Sequence, residues 1–185
     1  MTTQSPKTGF WKRAFIYGFP AGLITILTMI AGLQLGGPDS GASSQLVGFI
    51  IMILAFSLIF FGILKFRDEQ QGGIIKFKSA LGLGLAMSLF AGIAYIIVWE
   101  IYLSATDFSF MSEYTSTLLA KEEAKGVSGA ELEAFMDKMK TMNESYKNPL
   151  FRIPLTFTEI FPVGFVMTLI ASLFLHNPKF WARNT

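Results

Sequence analysis

Two acidic residues lie where the sequence is otherwise almost entirely apolar. Glu100 follows one charge-free stretch and Glu159 precedes another, with Arg152 and Thr158 close by in the sequence. If these stretches cross a membrane, the acids could hold a proton, bind a cation or act as general acids, because ionisable groups at membrane depth are costly and usually functional. Alternatively, both acids reach interfacial water beside an aromatic belt, with Arg152 as a neighbour. The residues leave both interpretations open.

Helix direction predicts that Glu100 and Glu159 meet. If the third and fourth spans run in opposite directions, both acids lie at a similar depth near the outer side. Desolvation and mutual repulsion then predict that one acid is protonated near neutral pH, unless Arg152 or a bound cation compensates. A protonated Glu159 could donate to the Thr158 carbonyl that Pro162 leaves free, so we expect Glu159→Ala to destabilise and Glu159→Gln to be tolerated.

Other site chemistry has little support in the sequence. Cys is absent and His176 is the single histidine, which excludes thiolate sites and any multi-His metal site within one chain. No nucleophile elbow, zinc-protease motif or phosphate-binding glycine-rich loop is present. We therefore expect no catalytic residues, no cofactor and no metal.

The distribution of apolar residues indicates the elements that must position these acids. Of the 185 residues, 52% are apolar and 15% are charged, whereas soluble domains contain about 25% charged residues. A membrane-spanning helix requires about 20 consecutive apolar residues. Such stretches lie at residues 14–35, 46–64, 79–102 and 153–175. We predict one membrane domain, residues 1–185, that is all-α with four transmembrane helices.

Lys and Arg predict the orientation, because loops rich in these cations stay in the cytoplasm. Residues 1–13, 65–78 and 176–185 carry nine of the 15, and residues 36–45 carry none. Both termini are therefore predicted to be cytoplasmic. Basic and aromatic residues alternate at 74–78, a pattern that beside a membrane is typical of anchors to anionic lipid. With a net charge of only +2, we expect the lipid bilayer as partner and no nucleic acid.

The long segment between the last two spans has apolar residues at helical spacing. We predict an extracytoplasmic amphipathic helical hairpin over residues 107–147. Asp107 is expected to cap its first helix and Gly126 to end it, while Ser128 and Glu131 form a capping box for the second helix. The second helix carries one apolar stripe, here called the methionine-rich face, which consists of Leu132, Phe135, Met136, Met139 and Met142.

The methionine-rich face has two interpretations. It packs against the neighbouring helix and the outer ends of the bundle, as most apolar stripes do. Alternatively, it is a docking face for another protein, because methionine adapts its shape and is common at promiscuous surfaces.

Small residues at four-residue spacing predict close contacts between membrane helices, which associate where their backbones can approach. They are Gly18 and Gly22 in the first span, Gly84, Ser88 and Gly92 in the third, and Gly164 in the fourth. The pattern leaves open whether they pack within one chain or in a homo-oligomer. Pro20 and Pro162 each remove a helical hydrogen bond and therefore predict kinks.

Three separated segments carry a resemblance. They are Arg67-Asp68 with Gly72-Gly73-Ile74 and Phe77; Val98-Trp99-Glu100-Ile101-Tyr102; and Asn148-Pro149-Leu150 followed by Thr156-Phe157-Thr158-Glu159-Ile160-Phe161-Pro162-Val163-Gly164. Together they resemble a bacterial membrane family known only as a domain of unknown function, number four-one-nine-nine. The resemblance spans residues 14–175 and implies a four-helix membrane protein of bacterial origin. It implies no activity, ligand or partner.

Two functional hypotheses follow. The first is a non-enzymatic accessory or scaffold protein that presents its outer hairpin to a membrane-protein partner or to a second copy. The second is a small oligomeric transporter, or a proton- or cation-coupled permease, that uses Glu100 and Glu159. Enzymatic activity ranks last because the sequence supplies no recognisable nucleophile and base.

Overall fold

The structure, a computed structural model, describes residues 6–36 and 45–181. These residues form six α-helices and no β-strand: α1 Pro6–Gly36, α2 Gln45–Gln70, α3 Phe77–Ala105, α4 Ser109–Ala124, α5 Ala130–Tyr146 and α6 Pro149–Leu175. Within the described ranges, four segments are long and apolar enough to cross a membrane: Gly9–Gln34, Leu46–Gln70, Phe77–Ala105 and Pro149–Leu175. The protein is thus all-helical with four candidate membrane spans. Residues 1–5, 37–44 and 182–185, which contribute to the predicted orientation, lie outside the described residues.

The four long helices form a bundle in which α3 makes the most extensive contacts. It packs against α1 and α6, and α2 packs against α1 and α6 on the opposite side. The buried core includes Phe56, Ile59 and Ile63 of α2 and Leu83 and Met87 of α3. Because the apolar side chains of these helices point in all directions, each helix has an exposed apolar surface as well as a core-facing one, as expected for helices in lipid.

The end of α3 corrects the prediction for Asp107. This residue has a positive φ of 48°, and the amide of Phe108 donates to the Leu103 carbonyl at 2.9 Å. Asp107 therefore terminates α3 in the left-handed conformation that Asp tolerates. The prediction that it caps the following helix was wrong, since α4 begins after Phe108 without a side-chain cap.

The turn between α4 and α5 contains one expected feature and one correction. Gly126 follows the end of α4 with φ of 88°, and its amide donates to the Glu123 carbonyl at 2.9 Å, which ends the helix as predicted. The capping box was wrong. Gly129 takes the N-cap position of α5 without a side-chain hydrogen bond, so Ser128 lies one residue too early to reach the first amides.

The last long helix has a well-defined start. Asn148 is its N-cap, and the side-chain oxygen accepts a hydrogen bond from the Leu150 amide at 3.0 Å. Pro149 occupies the first helical position, where its missing N–H costs nothing. The helix continues through Pro162, and α1 likewise continues through Pro20. The kinks predicted at these two prolines remain predictions.

Candidate functional site

Arg152 lies one turn into α6 and is buried, with 3% of its surface exposed. One guanidinium nitrogen, Nη1, donates to the carbonyls of Tyr146 at 2.7 Å and Lys147 at 3.3 Å. These are among the last carbonyls of α5, which have no partner inside their own helix. The arginine therefore joins the beginning of α6 to the end of α5.

The remaining guanidinium nitrogens of Arg152 bind Glu100 of α3 in a two-point ion pair. Nε donates to Oε1 at 2.7 Å and Nη2 donates to Oε2 at 2.5 Å. Parallel hydrogen bonds between a planar guanidinium and a carboxylate are among the strongest polar contacts in proteins. Arg152 thus supplies the compensating charge considered for the two acids, and it connects α6 both to α3 and to the end of α5.

Aromatic side chains enclose this ion pair. The guanidinium carbon of Arg152 lies 5.1 Å from the centre of the Phe108 ring and 5.7 Å from that of Tyr146, distances at which cation–π attraction operates. Trp99 Nε1 donates to the Tyr146 hydroxyl at 2.8 Å. Burial raises the pKa of Tyr146 above its ordinary value, so this hydroxyl stays neutral at physiological pH. We call Glu100, Arg152, Trp99, Phe108 and Tyr146 the arginine clamp.

Glu159 is not part of the arginine clamp. It lies seven residues after Arg152, about 10 Å along the helix axis, and its side chain is exposed on the bundle surface. No hydrogen bond or ion pair joins it to Glu100 or to any other described residue. The neighbouring Thr158 hydroxyl donates to the Leu155 carbonyl of its own helix at 2.7 Å. The Glu100 carboxylate is thus paired with Arg152 and not with Glu159, while burial and, to a smaller extent, the charge of Glu159 raise the pKa of the Tyr146 hydroxyl.

This position changes the expectation for Glu159 variants. Because the carboxyl group makes no hydrogen bond among the described residues, Glu159→Gln and Glu159→Ala are both expected to change stability by no more than about 0.5 kcal/mol. Thermal unfolding in detergent, followed by far-ultraviolet circular dichroism, measures the difference. A loss seen only in the alanine variant would mean that Glu159 bonds to a partner, such as a second copy of the chain.

The small residues of α1 contact the backbone of α3. A Cβ placed on Gly18 would collide with the Met87 carbonyl oxygen, and one on Gly22 would collide with that of Ala91. Both pairs advance by four residues in the same direction, so α1 and α3 run parallel at very close distance. These glycines are therefore used within the chain.

The small residues of α3 on another side contact α6. A Cβ on Gly84 would lie 2.5 Å from the Thr168 methyl group, and one on Gly164 would lie 2.7 Å from Ser88 Oγ. The hydroxyls of Ser88 and Thr168 are 3.2 Å apart and share a hydrogen bond. Gly92 faces the Phe157 ring instead. The antiparallel contact of α3 and α6 therefore combines close packing of small residues with a hydrogen bond between two hydroxyl groups.

The sequence of these helices can be compared with known protein families. The model of a family described as a protein of unknown function (DUF4199) matches residues 15–177. The chain belongs to this family. The resemblance inferred from three sequence motifs is thereby confirmed. No curated protein and no solved structure matches the chain.

The region matched by the family includes a second buried arginine, whose place in the sequence predicts only a basic loop and part of a motif. Arg67 at the end of α2 has 1% of its surface exposed. Its Nη1 donates to the Phe180 carbonyl at 2.9 Å, its Nη2 to that of Trp181 at 2.7 Å, and its Nε to Asp68 at 2.7 Å. The sequence signal that could have identified this buried arginine is its position. Arg67 belongs to the family motif and directly follows Phe66 at the end of an apolar stretch.

The methionine-rich face is only partly covered. Leu132, Phe135 and Met139 are half-buried, whereas Met136 and Met142 are exposed. Helices α4 and α5 contact each other, and the Thr115 hydroxyl donates to the Asn143 side chain at 3.2 Å. Among the described residues, no group of three or more His, Cys, Asp or Glu side chains could hold a metal ion.

Proposed function

We propose that the chain is a non-enzymatic accessory or scaffold protein of the bacterial inner membrane. In this proposal α4 and α5 form an extracytoplasmic hairpin that presents the methionine-rich face to a partner protein or to a second copy. The observation that carries the proposal is the exposure of the side chains of α4 and α5. Among the described residues of α4 and α5, Tyr146 is the single buried one, so the pair contributes little to the core of its own chain.

The attachment of the hairpin also favours a docking role. At its base, Tyr146 is held by Trp99 and by Arg152. Beyond the base, Met136 keeps 49% and Met142 keeps 37% of its surface exposed. A surface held in one position loses less entropy on binding than a free segment, and methionine fits partners of varied shape. The arginine clamp then serves to position the hairpin.

Photo-crosslinking in intact membranes tests the docking role. A photoreactive amino acid at Met136 is expected to produce a crosslinked species, which mass spectrometry identifies as a dimer of the chain or as a complex with another protein. The matched control is the same amino acid at Lys138, an exposed residue outside the methionine-rich face. Recovery of monomer alone from both positions, or equal crosslinking from both, would contradict the proposal.

The proposed orientation has its own test. Cys introduced by Ser128→Cys is expected to react with a membrane-impermeant thiol reagent added outside, because the residue lies between α4 and α5. Cys introduced by Gln71→Cys, at the end of α2, is expected to react only after the membrane is opened. The native chain contains no Cys, so labelling has no background. The reverse labelling pattern would place the hairpin in the cytoplasm.

The transporter hypothesis retains one supporting observation. Glu100 is engaged by Arg152, so the hypothesis now depends on Glu159, which makes no hydrogen bond or ion pair with a described residue and lies within a candidate span. Four helices form a narrow bundle, so a permease would require an oligomer. Proton or cation flux in proteoliposomes that disappears in a folded Glu159→Gln variant would favour transport over the scaffold role.

A further inference from the structure

A groove with a volume of about 300 Å³ opens at the end of the bundle opposite the arginine clamp. It lies where α1 and α3 begin and α2 ends. Phe10, Trp11 and Phe66 form its aromatic wall, and Gln71, Lys78 and Ser79 form its polar side. Every element that contributes to it belongs to a candidate membrane span or directly adjoins one. The groove is therefore located at the level of lipid headgroups.

The charges around the groove favour an anion. The acids at the end of α2 are already paired, Asp68 with Arg67 and Glu69 with Arg13. Lys78 forms no ion pair with any other residue in the described ranges. Because these acids are paired with arginines, they do not neutralise the positive charge of Lys78. The groove is therefore electrostatically suited to a phosphate group.

Hydrogen-bond donors accompany this cation. The side chains of Gln71, Ser79 and Trp11 make no hydrogen bond to the described part of the chain, and Trp11 keeps 56% of its surface exposed. Amide, hydroxyl and indole N–H groups all donate to phosphate or ester oxygens. Trp is also the residue typical of the membrane–water interface.

An aromatic surface leads from the groove along the outside of the bundle. The rings of Trp11 and Phe90 have centres 6.4 Å apart, and those of Phe15 and Phe90 are 5.5 Å apart. Trp11 and Phe15 are exposed. Together these three residues join the first turns of α1 to the lipid-facing side of α3. A soluble phosphate would leave this surface uncovered, whereas the acyl chain of a lipid would cover it.

We propose that this groove is a binding site for an anionic phospholipid. The lipid phosphate accepts from Lys78, Ser79 and Gln71, and an acyl chain lies along Trp11, Phe15 and Phe90. The site is independent of the proposed docking role of the hairpin, which lies at the other end of the bundle. With this site, the end of the bundle that carries Lys78 binds one class of lipid selectively. A general electrostatic attraction to the membrane surface would not distinguish among anionic lipids.

Native mass spectrometry of the full-length protein in detergent tests the site with phosphatidylglycerol and phosphatidylcholine as probes. Phosphatidylglycerol is expected to bind in preference to phosphatidylcholine. Lys78→Gln is expected to weaken phosphatidylglycerol binding about fivefold, the effect of one lysine at an anionic surface. The control Lys138→Gln removes an exposed lysine of α5 and is expected to leave binding unchanged.

A second variant tests the space in the groove separately from the charge of Lys78. Gly82 lines the groove, and a Cβ placed there meets no atom within 4 Å, so Gly82→Leu is expected to fold normally and to fill the groove. It should reduce phosphatidylglycerol binding without any change of charge. Equal binding of both lipids, equal effects of Lys78→Gln and Lys138→Gln, unchanged binding in Gly82→Leu, or displacement of the lipid by millimolar inorganic phosphate would each overturn the proposal.

Discussion

Replacing Arg152 with Gln is expected to lower the free energy of unfolding by about 3 kcal/mol, the lower end of the range for breaking a buried ion pair. The lower end applies because Glu100 keeps 28% of its side chain exposed. The loss has two sources. The Glu100 carboxylate stays partly buried without its cation, and the last carbonyls of α5 lose their donor. Thermal unfolding in detergent measures the effect, and limited proteolysis between α4 and α5 should become faster.

A double variant distinguishes the lost ion pair from a general loss of packing. In Glu100→Gln combined with Arg152→Gln, no uncompensated charge remains, so the combined loss is expected to be smaller than the sum of the two single losses by more than about 1 kcal/mol. Lys147→Gln is the matched control, because this neighbouring cation is exposed. Equal stability of Arg152→Gln and Lys147→Gln would show that the arginine clamp contributes nothing to folding.

The second large effect is expected at the parallel contact of α1 and α3. Gly22→Leu introduces a side chain where even a Cβ collides with the Ala91 carbonyl oxygen. A backbone carbonyl inside a helix cannot rotate away, so the two helices must separate along their length. We expect a loss of about 3 kcal/mol, at the upper end of typical overpacking costs, measured by thermal unfolding in detergent.

The matched control for this contact is Gly48→Leu in α2. A Cβ on Gly48 meets nothing within 4 Å, and leucine is the better helix former, so this variant should be as stable as the native chain or slightly more stable. If Gly22→Leu instead kept full stability and altered only the oligomeric state, the glycines would serve a contact between copies rather than the α1–α3 contact.

Helix α3 has a central role in both effects. Its small residues approach α1 on one side and α6 on another, and its outer end carries Glu100 and Trp99, which hold the base of α5. At the other end of the bundle, Arg67 donates hydrogen bonds to the carbonyls of Phe180 and Trp181. Each end thus has a buried arginine that satisfies carbonyls of a segment outside the four long helices.

Sequence alone was sufficient for the helical class and for the four long apolar helices. In a bilayer core every backbone N–H and C=O must be paired within the protein, so a long apolar stretch has few alternatives to a helix. The three motifs were sufficient for the family, and Gly18, Gly22 and Gly84 were recognisable as close-contact positions because only small residues permit such an approach. These features depend on local composition and spacing.

The partners of individual side chains were decided only by the tertiary structure. The acids of α3 and α6 were expected to meet, yet Glu100 forms its ion pair with Arg152, and Glu159 makes no hydrogen bond or ion pair with a described residue. Similarly, Asp107 ends α3 instead of beginning α4. Depth along a helix can be counted from the sequence, but the direction in which a side chain points depends on how each helix is rotated about its axis. Packing of all the helices together sets that rotation, and no local pattern contains it.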